Sequence, residues 1–360
     1  MHAPTASGSA PRRALSAAAR GWRGWTAALA LAAGGCRQGP SLPTVARAGE
    51  ALGATFSVAA WGRDSALLER AVRQALDSVR LVDSLLSTDD DSSEISRLAT
   101  AHGRARAVSP TFATVLRKAL AVSRASQGAF DPTGRDYRRV VFDSARGTVA
   151  LPGRLVLDFR GLAEGYALDR ALLPLAALAD SAILGLGGQY LIRTAPRRPG
   201  AGSGAGRQVG MSDPDNSLRA VALIELPSGT WAVSTTSQLD RPGEMLDPRS
   251  GKPATRARAV TTVARDGATA GAWSSAFFVL GCDSALALAG AGGGQLDGVG
   301  VLCVDDRVRW SADLDGRVVL ATDSGESAGS GPAPGPGRAP AGARAPSGST
   351  TRPANPDSSR

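Results

Sequence analysis

Histidine, cysteine and lysine are scarce in this 360-residue chain, and each shortage removes a class of chemistry. Of the two histidines, His2 lies in the N-terminal leader and His102 in a polar stretch, Ala101-His102-Gly103-Arg104. A zinc centre built on several histidines is thereby all but excluded, as is a proton relay through a histidine triad. His102 itself reads as solvated. The three cysteines show no redox spacing. Cys282 and Cys303 both sit in apolar settings, Phe278-Val279-Leu280-Gly281-Cys282 and Val301-Leu302-Cys303-Val304, and read either as one disulfide in an oxidising compartment or as two buried thiols. Lys118 and Lys252 are the only lysines, and aromatic residues make up 4% of the chain. Four of the nine net positive charges fall in the leader and one in the C-terminal tail, which leaves four scattered over the rest. Without a basic stripe interleaved with aromatics there is no nucleic-acid footprint.

Long apolar runs are missing too. The longest early one, Trp25 to Ala33, falls well short of the roughly 20 residues a bilayer span needs. It follows Arg12, Arg13, Arg20 and Arg23 and precedes Ala33-Gly34-Gly35-Cys36, an order that reads as a lipoprotein-type signal over residues 1–35 with lipidation at Cys36. An ordinary cleaved signal is the alternative. On either reading the mature protein is expected outside the cytoplasm, and lipidated Cys36 would hold it to a membrane surface. Residues 36–50 read as a linker, 51–322 as the folded part, and 323–360, rich in Pro, Gly, Ser and Arg, as a disordered tail.

Within 51–322 the periodicity alternates. A strand over 54–60 leads into an amphipathic helix from Asp64 to Leu86, with Leu68, Val72, Leu76, Val79, Val82 and Leu86 at helical spacing. Ser109-Pro110 opens a second helix that closes at Gly128. Then come a strand at 154–158 with a helix to about Leu178, strands at 181–186, 220–226, 231–234 and 259–264, and a helix from about Thr269 to Leu280. Strands at 299–304, 307–311 and 317–321 complete the series, the last two joined through Asp315-Gly316 as a hairpin. The series predicts an α+β fold with mixed, largely antiparallel sheets and packed helices, not uniform βαβ units.

The densest chemistry lies at Asp158-Phe159-Arg160-Gly161-Leu162-Ala163-Glu164-Gly165-Tyr166-Ala167-Leu168-Asp169. A strand that turns into a helix there would aim backbone N–H groups and a helix dipole at an anion. Alone, the two glycines could equally serve only a tight turn.

Read in order, Leu52-Gly53-Ala54-Thr55-Phe56-Ser57-Val58, Leu86-Ser87-Thr88, Ser93-Glu94-Ile95-Ser96-Arg97-Leu98, Gly128-Ala129-Phe130-Asp131-Pro132-Thr133, the Asp158–Asp169 junction, Gly187-Gly188, Gly210-Met211-Ser212-Asp213-Pro214, Thr235-Thr236-Ser237, Leu246-Asp247-Pro248-Arg249-Ser250-Gly251-Lys252-Pro253 and Ala276-Phe277-Phe278-Val279-Leu280-Gly281 form a collinear set. Over about Ala51 to Leu302 this set resembles the ApbE family of FAD:protein FMN transferases. The resemblance implies the family's T-fold-like α+β architecture with a flavin nucleotide site between sheets and helices. It also implies a cell-envelope enzyme that uses FAD and magnesium to place FMN on a threonine of a flavin-accepting electron-transfer protein, releasing AMP. It further implies that Leu52, Thr88, Ala129, Phe130, Asp131, Asp158, Glu164 and Leu246 line the FAD site, although Leu52, Ala129 and Phe130 also suit plain core packing.

Three departures stand out. The family's late helix carries an aspartate and, one turn on, a threonine that bind magnesium together with a backbone carbonyl. Here the matching positions are Gly271 and Ser275, with Ala163 expected to give the carbonyl and Asp266 a candidate replacement carboxylate. The junction's usual lysine is Glu164, and the histidine before the Asp-Pro turn is Glu244, the candidate base, whose ordinary pKa near 4.3 suits it less to neutral pH. These departures leave a catalytically impaired flavin- or nucleotide-binding lipoprotein, or an FAD-splitting hydrolase, as alternatives to a transferase.

Overall fold

A computed structural model describes residues 42–194, 207–238, 243 and 245–321. The candidate lipidation site Cys36, the candidate base Glu244 and the tail from 322 onward lie outside those residues.

Eight strands, each antiparallel to its neighbours, form the main sheet in the order 44–51, 54–61, 181–186, 189–194, 229–237, 259–264, 300–304 and 308–310. Among the described residues the α-helices are, in chain order, α1 (Ser65–Leu86), α2 (Glu94–Ala99), α3 (Pro110–Ala125), α4 (Arg160–Leu172), α5 (Gly267–Leu280) and α6 (Cys282–Ala291). One face of the sheet packs on the helices through a core that includes Phe56, Leu68, Phe112, Phe159, Leu168 and Trp273. The opposite face, with Ile192, Val233, Val263 and Leu302, is covered by a three-stranded sheet of 207–213, 216–226 and 318–320. The architecture is the expected mixed, antiparallel α+β fold.

Local chemistry explains the helices. Asp64 Oδ1 accepts from the amides of Ala66 and Leu67 at 2.9 and 3.0 Å, which starts α1 where predicted. Ser109 caps the Phe112 amide at 3.1 Å, and Pro110 takes the first position of α3. Helix α5 is apolar on every side and almost wholly buried, as a helix held between another helix and a sheet must be. No helix among the described residues is long and apolar enough to cross a membrane.

Several expectations need correction. Residues 154–158 are not a strand: Leu155 and Leu157 are buried and Val156 is 55% exposed, so the alternation is real, but no neighbouring strand completes a ladder. The strands 308–310 and 318–320 do not pair with each other. The turn of 3₁₀ helix at 312–314 carries the chain to the second sheet, where 318–320 pairs with 216–226. The helix after Asp158 ends at Leu172 rather than Leu178. The strand Thr44–Ala51, in register with Ala54–Trp61, begins inside the stretch 36–50 expected as a linker.

Candidate flavin site at one end of the main sheet

Three pieces of the sheet reach the same end. The turn Leu52-Gly53 precedes the strand whose Phe56 pairs with Leu186, so it lies beside the turn Gly187-Gly188. Gln189 pairs with Ser234, so Thr235–Ser237 extend past it to the same edge. The Thr235 amide donates to the Gly188 carbonyl at 3.2 Å. Hydroxyls tie this edge to α5, where Ser274 bonds Ser234 at 2.9 Å and Thr236 at 3.0 Å, and to the neighbouring strand, where Thr235 bonds Thr261 at 2.8 Å.

Leu52 and Gly53 both have positive φ, 52° and 71°, the geometry of a two-residue hairpin turn. Leucine is a rare occupant of that region. The Leu52 amide donates to Asp83 Oδ1 at 2.8 Å, so a carboxylate on α1 holds the turn. A Cβ on Gly53 would stand 3.3 Å from Asp89 Oδ2, which sets the exposed Thr88-Asp89 loop against the hairpin. Asp83 was not singled out by sequence; its only signal is its place near the end of α1.

A second group of loops is joined by backbone bonds. Ala129 and Phe130 are buried, and the Asp158 amide donates to the Pro132 carbonyl at 2.7 Å. Asp131 is occupied structurally: it accepts from Thr133 N, Thr133 Oγ1 and Tyr137 N at 2.8, 2.7 and 2.9 Å. Asp158 is exposed, accepts from the Arg160 amide at 2.8 Å and pairs with the Arg160 guanidinium at 3.1 Å. Gly128, with φ 81°, passes close to Arg249 and Tyr137, which brings in the loop after Leu246. Leu246 is 48% exposed. The neighbouring Asp247 carboxyl is held below its ordinary range by hydrogen bonds from Arg249.

Where α4 meets α5, two glycines on each helix, four residues apart, let the backbones touch. Gly161 lies against Gly271 and Gly165 against Gly267. A Cβ on Gly271 would run into the Gly161 carbonyl oxygen and stand 2.7 Å from both terminal atoms of Gln189. Gln189 is 3% exposed; its Nε2 donates to the Gly161 carbonyl and to Glu164 Oε2, the latter at 3.1 Å. Glu164 also packs against Gly187, where a Cβ would sit 2.9 Å from Oε2.

At the other end of the crossing, Asp169 of α4 accepts from the Gly267 and Ala268 amides at 2.6 and 3.1 Å. Asp266 caps α5 through Thr269 N and Oγ1 at 3.0 and 2.8 Å and pairs with Lys118 at 3.4 Å. Two carboxylates thus satisfy the first three amides of α5. Burial pushes the Asp169 carboxyl up to about 7; the two backbone donors oppose the shift, while the charge of Asp266 adds to it.

The magnesium set implied by the sequence does not fit these residues. Gly271 has neither a carboxylate nor room for one. Ala163 lies in the core inside α4, where its carbonyl belongs to the helix ladder; the carbonyl that faces α5 is Gly161's. Ser275 Oγ donates to the Gly271 carbonyl at 3.3 Å, and Asp266 is committed to capping. Among the described residues no three His, Cys, Asp or Glu side chains gather as a metal cluster. Gln189 was missed by sequence because it follows a glycine pair in an ordinary strand, and Gly161, read only as a turn residue of the strand-to-helix junction, acts through its carbonyl.

The ApbE family model matches residues 52–139 and 134–299, well over half of the chain. Among solved structures the chain is similar to the ApbE protein of Thermotoga maritima, with TM-score 0.66, 22% identity, and coverage of 76% of this chain and 98% of that one. The flavinyl transferase ApbE of Pseudomonas stutzeri, in its apo form, gives 0.64 and 21%, with 77% and 97% covered. The flavin transferase ApbE of Vibrio cholerae gives 0.63 and 20%, with 77% and 99% covered. At these identities the likeness carries the fold alone. No curated protein sequence matches the chain.

Proposed function

The chain belongs to the ApbE family, and from that premise we propose that it is a flavin transferase that moves the FMN half of FAD to a threonine hydroxyl of a flavin-accepting electron-transfer protein. The threonine oxygen attacks the FMN phosphorus, the bond from that phosphorus to the bridging oxygen breaks, and AMP leaves carrying that oxygen. Glu244 is assigned to take the hydroxyl proton. The observation that carries this reading is the convergence at one sheet end of the Leu52-Gly53 turn, the Gly187-Gly188 turn and the first turns of α4. In this reading Leu52, Thr88, Ala129, Phe130 and Leu246 border the flavin, while Asp158 and Glu164 face its polar half. Asp131 contributes by shaping its loop. No step is routed through magnesium, because the site offers it no ligand set.

A second reading, flavin binding without transfer, is favoured by the close approach of Gly271 to Gly161, which removes the room for a magnesium-binding carboxylate. Incubating the full chain with FAD and an acceptor domain separates the two. Transfer gives AMP together with in-gel flavin fluorescence on the acceptor. Bound FAD with neither product supports the second reading, and AMP without an acceptor indicates a hydrolase.

The proposed location is the extracytoplasmic face of a bacterial membrane, with the lipid on Cys36. The disulfide Cys282–Cys303 supports an oxidising compartment. Fatty-acid labelling that persists in a Cys36→Ala chain would remove the anchor.

A further inference from the structure

We propose that the side-chain amide of Gln189 stands where a divalent cation would sit and that this chain binds its flavin nucleotide without one. The inference rests on the flavin-binding part of the function proposed above. The position is bordered by two oxygen groups, the Gly161 carbonyl and the Glu164 carboxylate, both bonded to the amide; on the α5 side of Gly161 lie the Gly271 carbonyl and Ser275 Oγ, 3.1 and 2.9 Å from where a Cβ on Gly161 would stand. Magnesium coordinates such groups, but it demands near-octahedral geometry at about 2.0–2.1 Å from each oxygen. Gln189 Nε2 already meets the Gly161 carbonyl and Glu164 directly, with two N–H donors pointed at two acceptors. An ion has no space between them.

The amide is fixed in place. Its backbone sits at the start of a strand, paired to Leu186 on one side and Ser234 on the other, and the side chain is 3% exposed. It also fills the space in which a carboxylate from position 271 would lie, since a Cβ there would be 2.7 Å from both Gln189 terminal atoms. The missing aspartate and the inserted amide are therefore one change: the glycine lets α5 close on α4, and the neutral donor takes up the acceptors that closure leaves. Gln189 Oε1 is buried and has no partner among the described residues. It presents one acceptor to a donor of the ligand, such as a hydroxyl or ring N–H, and an acceptor left unmet would be costly. Gln189 is thus a positioning residue for the nucleotide.

The test is flavin fluorescence titration of the full chain with FAD in excess EDTA and in excess magnesium, with Mn²⁺ binding followed by electron paramagnetic resonance on the ligand-free chain. The expected result is an FAD Kd equal within about twofold in the two conditions and no bound Mn²⁺. A Kd that tightens roughly tenfold or more with magnesium, or a Mn²⁺ site lost in Gln189→Ala, would overturn the inference. FAD that fails to bind under either condition defeats the flavin reading instead, and the Mn²⁺ measurement still decides whether a cation occupies the position. Gln189→Glu replaces the donors with a second carboxylate facing Glu164. Its melting temperature should rise with magnesium while that of the native chain does not. A folded Gln189→Glu chain indifferent to magnesium would count against the assignment; if the variant does not fold, the native-chain measurements decide.

Discussion

Asp169 and Asp83 are carboxylates whose importance comes from backbone amides rather than from a ligand. Asp169 holds the start of α5 while buried, and its carboxyl titrates near 7 instead of near 3.8. The folded chain therefore keeps a proton that the unfolded chain releases between those values, so stability falls as pH rises from about 4 to 7 and is flat above. The loss from this group reaches roughly 4 kcal/mol. Urea denaturation across that range should show the decline, and Asp169→Asn should flatten it. The lowered Asp247 acts in the opposite sense, its contribution present above the ordinary carboxylate range and lost only under more acid conditions. Asp83 secures the strained Leu52 turn. Asp83→Ala is expected to cost about 1–2 kcal/mol in urea denaturation and to weaken FAD binding several-fold, since the turn would then be ordered only on binding.

At the scale of elements, the crossing of α4 and α5 sets the site. Four glycines act as two pairs, and side chains at any of them meet backbone atoms of the other helix or Ser275. Gly165→Ala or Gly271→Asp should therefore destabilise the chain by about 3 kcal/mol or more, as overpacking against backbone does. Gly271→Asp is expected not to create a magnesium site, because the helices must part before the carboxylate can enter. Calorimetric titration with magnesium beside a denaturation curve checks both halves of the statement.

Across the whole molecule, the disulfide joins the first residue of α6 to the strand 300–304, closing a loop of sequence separation 21 within the core on the helix-covered face of the sheet. Loop closure of that size is worth roughly 3 kcal/mol. A Cys282→Ala/Cys303→Ala chain should lose about that much in urea denaturation while keeping FAD affinity. Both sulfurs are buried, so a reductant should act only slowly on the native chain.

How much of this was legible depended on the range of the forces involved. Asp64, Ser109 and Pro110 announce α1 and α3 because caps act within a turn, and the short apolar and β-branched runs at 181–186 and 259–264 announce strands because a strand covered on both faces is apolar throughout. The ordered motifs were enough for the family and the α+β class. Pairing was another matter: 154–158 alternates like a strand yet finds no ladder, and 318–320 joins a sheet distant in sequence, because backbone hydrogen bonds need a partner that only the assembled fold supplies. The same holds for the site. The sequence by itself determined that position 271 carries no carboxylate. Only the tertiary structure decided that none could fit, since the contact of Gly271 with Gly161 and the insertion of Gln189 depend on three elements brought within touching distance.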